Sequence, residues 1–168
     1  ISNNTKITCK PNWTCNYYKE EDKESQMGVT TDVNFVEGFL QSLKEMGPQA
    51  FYLRECACSN RWEANGFTAM AARNNFDLRD LTSKDFWNLD PEDIIFRKVE
   101  NGVVFKEVAF MAPMTAPDTF LINIAKFKAH QMGITASIKN LQGITARKFH
   151  NFCGGNYDIF KTYDKRYH

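Results

Sequence analysis

The sequence predicts one α/β domain spanning residues 1–168, in which a βαβ-containing, mostly parallel sheet carries helices and an antiparallel hairpin insertion. Three observations predict it. Short β-rich runs alternate with stretches of helical periodicity, which is the pattern of parallel strands joined by crossover helices. An Asn-Gly pair sits between two further β-rich runs, which signals a hairpin. The chain has 168 residues, of which 43% are hydrophobic and 24% charged, enough to build one core without disulfide staples and too apolar for disorder.

Lys6-Ile7-Thr8-Cys9-Lys10 reads as the first strand. Pro11-Asn12 closes it, because proline removes a ladder donor and asparagine favours a turn. Polar, charged residues from Lys19 to Gly28 follow and read as an exposed loop. The clearest helix comes next. Thr31 or Asp32 serves as N-cap, Val33, Val36, Phe39, Leu40, Leu43 and Met46 recur at three- and four-residue steps, and Gly47-Pro48 stops it. Ala50 to Glu55 reads as a second strand. Residues 6 to 55 therefore form a βαβ unit with parallel strands and a right-handed crossover.

Asn65-Gly66 opens a weaker helix through Phe67, Met70 and Ala71, and Phe76-Asp77-Leu78 reads as a third strand. Ile94 to Val99 and Val103 to Val108 flank Glu100-Asn101-Gly102 and predict the hairpin, forming an antiparallel edge. Phe120 to Ala125 reads as a buried strand, with Lys126 to His130 at its carboxyl end and a helix beginning near Thr135. Ligands of open α/β sheets bind at the carboxyl ends of the strands. The loops placed there are Pro11-Asn12-Trp13, Cys56-Ala57-Cys58 and the Lys126 segment.

The net charge of +1 hides an asymmetry. Residues 1 to 120 hold 13 Lys/Arg and 18 Asp/Glu, and residues 121 to 168 hold 8 and 2, so about −5 is followed by +6. All three histidines, His130, His150 and His168, lie in the basic part. Such a segment is a local anion site, a protein contact or a nucleic-acid patch. The near-neutral total argues against broad nucleic-acid binding, which needs many phosphate contacts. No run approaches the roughly 18 apolar residues of a membrane span, and Ile1 to Thr5 is no signal peptide but reads as a trimmed end. Five cysteines, Cys9, Cys15, Cys56, Cys58 and Cys153, fit no disulfide framework, which predicts reduced thiols and a cytoplasmic location. The short glycosylation patterns at Asn3 and Asn12 carry little weight.

Chemistry concentrates in Lys126-Phe127-Lys128-Ala129-His130-Gln131-Met132-Gly133. Two ammonium groups and an imidazole stand just past a strand, beside a glycine and a helix N-terminus, which together suit a phosphate or carboxylate. Lys139-Asn140 and then Arg147, Lys148 and His150 add donors. A solvated basic loop with His130 packed on the sheet is the plain alternative. His130, His150 and Cys153 form a speculative transition-metal set at a spacing that fits no compact motif. Cys56-x-Cys58 and Cys9-x5-Cys15 lack the four-cysteine ferredoxin spacing, so a cluster would have to come from another segment. Asp32 is weighed as a base or ligand contact, with helix capping ahead. The nucleophile elbow, the phosphate loop, the dinucleotide glycine fingerprint and His-Glu-x-x-His are all absent from the sequence.

Three segments carry a family resemblance. Ile7-Thr8-Cys9-Lys10-Pro11-Asn12, Gly28-Val29-Thr30-Thr31-Asp32, and Ile122 to His130 continuing through Gly133, Thr135, Lys139, Asn140 and Gly143 resemble DUF362, a family defined as a domain of unknown function. The last segment is the most specific, since it is similar to a signature that reads Lys-Thr-His and later Leu-Lys-Asn-Leu-x-Gly. Ala129 stands where that signature usually has threonine, so a hydroxyl role there is absent. The resemblance implies a fragment or shortened member, because the family's domain usually continues past the equivalent of His168. It implies relatives with ferredoxin-like iron–sulfur segments, which this sequence lacks, and a distant fold similarity to nickel-dependent lactate racemases.

The leading expectation is an enzyme, or its cofactor-binding half, holding a small anionic molecule between the Lys10 to Asn12 turn and the Lys126 to Asn140 segment. Lys126, Lys128 and Lys139 supply charge, Asn12 and Asn140 orient, Lys10, Asp32 and Thr135 complete the ligand contacts, and His130 transfers a proton or ligates metal, with Lys128 and Lys139 beside it as the catalytic candidates. A non-catalytic anion-binding module uses the same lysines. The rival class is a protein-interaction domain, in which the basic, aromatic C-terminal segment through Phe149, Phe152, Tyr157, Phe160, Tyr163 and Tyr167 docks an acidic partner or a missing half of the fold.

Overall fold

A computed structural model describes residues 2–12, 28–55, 62–63, 65–80, 90–103, 105–130 and 133–146. The expected loop at 19–27, the Cys56 to Cys58 loop and everything from Arg147 onward lie outside the described residues.

The first strand, β1 (Lys6–Pro11), runs parallel to β2 (Ala50–Glu55), with Ile7 opposite Phe51 and Cys9 opposite Leu53. Between them α1 (Val33–Glu45) buries Val36 and Leu40, one helical turn apart. Its ends carry the expected chemistry. Asp32 is extended at φ −67° and its Oδ1 accepts from Phe35 N at 2.9 Å, while Gly47 takes the left-handed φ of 125° that a side chain resists. A second helix, α2 (Phe67–Asn74), is bracketed by left-handed Gly66 and Asn75 and leads into β3 (Asp77–Asp80), which pairs parallel with β2. The fourth strand, β6 (Thr119–Ile124), pairs parallel with β1 on its other side, giving the order β3-β2-β1-β6.

Strand alternation sends side chains to two different layers. One face of the sheet presents Ile7, Cys9, Phe51 and Leu53 to α1 and α2, where Met70, Phe67, Val36 and Leu40 close the main core. Full burial of each such aliphatic side chain contributes about 1.5–3 kcal/mol. The opposite face presents Thr8, Lys10, Arg54 and Leu121, covered in part by a smaller cluster of Met111, Met114 and Ile144.

The hairpin is present but forms its own two-stranded sheet. Its strands are β4 (Ile94–Lys98) and β5 (Glu107–Met111), paired from Ile94 with Met111 to Lys98 with Glu107. The second strand starts four residues later than the sequence predicts. Gly102 N turns back to Val99 O at 3.1 Å, Asn101 is left-handed, and Val103 is 92% exposed, so the Asn-Gly turn lies within a longer loop rather than closing the ladder. Arg54 fastens this layer to the sheet, donating from Nε to Ala112 O at 2.8 Å and from a terminal nitrogen to Asp77 O at 2.8 Å and Asp77 Oδ1 at 3.0 Å. Arg79 paired with the buried Asp93 adds a second tie. No helix among the described residues is long and apolar enough to cross a membrane.

After β6 the expected basic loop is a small ribbon. β7 (Lys128–His130) pairs antiparallel with β8 (Gly133–Thr135), and the one-turn α3 (Ser137–Leu141) follows, with a 3-10 turn at Gln142–Ile144. Strands of three residues are too short to leave a periodic signal. β6 is also less buried than the sequence predicts, with Phe120 at 49% exposure, because among the described residues it lies at the sheet edge.

Candidate functional site

The carboxyl ends of β1, β2 and β6 lie side by side because all three strands run the same way. Asn12, the residue after β1, is held there by its main chain. Its N–H donates to Ile124 O at 3.1 Å and to Thr31 Oγ1 at 2.8 Å, its carbonyl accepts from Thr31 N at 3.0 Å, and the Thr31 hydroxyl donates onward to Ile124 O at 2.9 Å. The Thr31-Asp32 pair thus divides its work. Thr31 pins the β1 turn and Asp32 caps α1.

At the centre is Lys10, 1% exposed. Its Nζ pairs with Glu55 Oε2 and donates to Asn140 Oδ1 at 3.0 Å and Pro11 O at 2.6 Å. A buried ammonium is tolerable only with a carboxylate and further acceptors around it, and all are supplied. Asn140 ties the site together. Its Oδ1 accepts from Lys10 and from Asn12 Nδ2 at 2.8 Å, while its Nδ2 donates to Lys10 O at 3.2 Å and Asn123 Oδ1 at 2.6 Å. Exchanging O and N on Asn140 would set its NH2 against the Lys10 ammonium, so the network fixes both amide orientations. Asn123 Nδ2 donates in turn to Ser137 O at 2.7 Å, fastening α3 over the strand ends. Gly143 completes the enclosure. A Cβ there would fall 2.3 Å from Glu55 Oε1 and 2.6 Å from Lys10 Cε, so the ion pair fits only beneath a residue without a side chain.

Among the described residues one atom of this network lacks a partner. Asn12 Oδ1 is buried and accepts no hydrogen bond from them, although a carbonyl in such a place ordinarily finds a donor.

The other lysines lie on the segment after β6. Lys128 Nζ reaches across to Val29 O. Burial pushes its ammonium down to about 8, with Lys139 adding to the effect, Glu55 opposing it, and Lys10 and Lys126 depressing it further. No acidic residue occurs between Asp118 and Asp158, so this end of the sheet receives positive charge with Glu55 as its near counterweight.

The ribbon sorts its side chains by alternation. Lys126 and Lys128 are half-buried, whereas Phe127 at 76% and Ile134 at 64% are exposed together with Ala129, which pairs with Ile134. One face therefore points its lysines inward and the other leaves an apolar strip outside.

Of the residues singled out from the sequence, Lys10 and Asn12 both bond to Asn140, and Lys126, Lys128 and Lys139 are half-buried on the segment that follows β6. Lys10 is paired with Glu55, an ion pair the sequence did not reveal. Asp32 is occupied as the N-cap. His130 and Thr135 are placed by the main chain of the ribbon, opposite Gly133 and Lys128, while their side chains, like all of His150 and Cys153, lie outside the described residues. The expected helix N-terminus is a single turn with Ala136 at its cap and no side-chain bond, too short to build a useful dipole. Among the described residues no group of three or more His, Cys, Asp or Glu could hold a metal ion. Cys9 faces the core, where burial drives its thiol up to about 12, so it is no ready thiolate ligand. Glu55, Thr31, Asn123 and Gly143 belong to the site without having been singled out for it. For Glu55 and Asn123 the signal is a polar residue at the carboxyl end of a strand, as with Asn123 inside the apolar run Phe120–Ala125.

The fold and site define a class, an α/β domain with a buried Lys–Glu–Asn network closing the carboxyl ends of its parallel strands. The chain belongs to the family described as domain of unknown function (DUF362), whose model matches residues 7–159. No curated protein and no solved structure matches it.

Proposed function

We propose that the domain binds a small anionic molecule at the carboxyl ends of β1 and β6, with Lys126, Lys128 and Lys139 supplying the attraction and the Lys10, Asn12 and Asn140 network forming a rigid floor. The observation that supports this reading is that Lys126, Lys128 and Lys139, all half-buried, lie on the segment that follows β6, which is free of acidic residues. Fixed donors around a desolvated site bind anions more strongly than the same groups in water. Lys10 contributes shape rather than free charge, since Glu55 already neutralises it. Lys128, titrating near neutrality, is the group able to exchange a proton with such a ligand.

Calorimetric titration with inorganic phosphate and with acetate tests this. Saturable binding of either, weakened about tenfold or more in Lys128→Gln/Lys139→Gln, is the expected result. Heats indistinguishable from dilution for both anions would refute it.

A second reading has one observation in its favour. Phe127, Ile134 and Ile138 leave an apolar strip in the open, and strips of that kind often meet other proteins. Replacing Phe127 and Ile134 with serine would then change assembly and leave anion affinity alone.

A further inference from the structure

The helix α1 has sides of different chemistry. Val36 and Leu40 face the sheet. One step around, Glu37 pairs with Arg73 and accepts from Asn74 of α2, Gln41 donates to Asn74 Oδ1 at 2.9 Å, and Lys44 donates to Asn74 O at 3.1 Å. At about 100° per residue, Phe35, Phe39, Ser42 and the C-cap Met46 share an arc of about 60° on the opposite flank. Since α2 leads into β3 and the sheet runs β3-β2-β1-β6, that flank is turned toward β6. It is apolar and open. Phe35 is 61% and Met46 67% exposed, and the rings of Phe35 and Phe39 stack with centroids 6.4 Å apart. Ser42 turns its hydroxyl back onto Gly38 O at 2.9 Å, so the flank offers no side-chain polar group that depends on water. Phe120 of β6 stands opposite Ile7, hence on the helical face of the sheet, and is exposed as well. Scattered surface apolar residues are ordinary, whereas an uncharged strip of this kind marks an interface.

We propose that this flank of α1 binds a second copy of the chain, through an antiparallel twofold contact between the two α1 helices. The order of the residues selects a second copy over an unrelated partner. Phe35, Phe39, Ser42 and Met46 are separated by four, three and four positions, a spacing that reads the same in both directions. A twofold contact sets such a strip against its own reverse. Phe35 then meets Met46 of the partner subunit, and Phe39 meets Ser42 of the partner subunit. Each ring is opposed by a residue that can receive it, since a thioether packs favourably on an aromatic ring and a serine leaves room for one. None of the four residues is charged, so the twofold axis brings no like charges together within the strip. The contact is independent of the anion reading, because none of these residues belongs to the lysine and asparagine network.

Sedimentation velocity on the full chain, from about 1 µM to about 100 µM, tests this. The expected result is a shift from monomer to a species of twice the mass as concentration rises, with the dissociation constant raised about tenfold or more by Phe35→Ser/Phe39→Ser and by Ser42→Arg. All three positions are exposed, and arginine is a better helix former than serine. Ser42→Arg should therefore keep the wild-type circular dichroism and melting temperature, and its loss of association is then no folding defect. Phe127→Ser/Ile134→Ser should leave the dimer intact. A wild type that stays monomeric at about 100 µM overturns the inference. So does a dimer that Ser42→Arg leaves unchanged, or one that Phe127→Ser/Ile134→Ser dissolves.

Discussion

The two faces of the central sheet are built from alternate residues of the same strands, yet they obey different rules. On the α1 and α2 face Ile7, Cys9, Phe51 and Leu53 meet only apolar neighbours. On the other, Thr8, Lys10 and Arg54 are just as inaccessible but polar, and Lys10 and Arg54 are held by Glu55, Asn140, Asp77 and Ala112, all distant in sequence. An apolar face fails gradually, because neighbouring side chains relax toward a missing methyl group. A polar face fails abruptly, because an ion without its partner keeps its whole desolvation cost.

The sharpest way to break that comparison is Lys10→Met. It removes the ammonium that faces Glu55 Oε2 and is expected to cost about 3–5 kcal/mol in urea unfolding, whereas adding Glu55→Leu should recover most of the loss. On the apolar face Leu53→Ala is expected to cost about 2–5 kcal/mol, with no comparable rescue by a second substitution. Asn140→Ala leaves the side chain of Asn12 and a bond of Lys10 unsatisfied and is expected to cost about 1–3 kcal/mol, with loss of phosphate affinity beside it. The smallest effect is a pH dependence. The folded-state value of Lys128 is depressed to about 8 from an ordinary 10.5, so between those values the unfolded chain binds the extra proton. Stability therefore rises with pH across that window, and the contribution is lost as pH falls through about 8. Thermal melts of wild type and Lys128→Met from pH 7 to about 10.5 check this: the wild type should gain relative to the variant as pH rises.

The apolar face was legible in the sequence because it is written locally. Val36 and Leu40 lie one turn apart, Asp32 and Gly47 mark the ends of α1, and the predicted strand Ala50 to Glu55 matches β2. The polar face was legible only in part. The sequence placed Lys10, Asn12 and Asn140 near one another from strand order and family resemblance, and that grouping holds. It did not reveal that Lys10 would be neutralised, since Glu55 is 45 residues distant and nothing in its neighbourhood marks an ion pair. The β7–β8 ribbon was missed because three-residue strands carry no period, and the hairpin was set early because Asn101-Gly102 promised a tight turn where the chain makes a wide one.

Asn12 Oδ1 gives the site a different significance when viewed as a matter of selection. A buried carbonyl with no donor among the described residues is a cost to folding, and an apolar residue of similar size would lack that liability. Screening position 12 for thermostability alone should therefore enrich side chains other than asparagine. Where the tightest-folding variants bind worst, the screen will have located the part of the molecule that is maintained for recognition at the expense of durability.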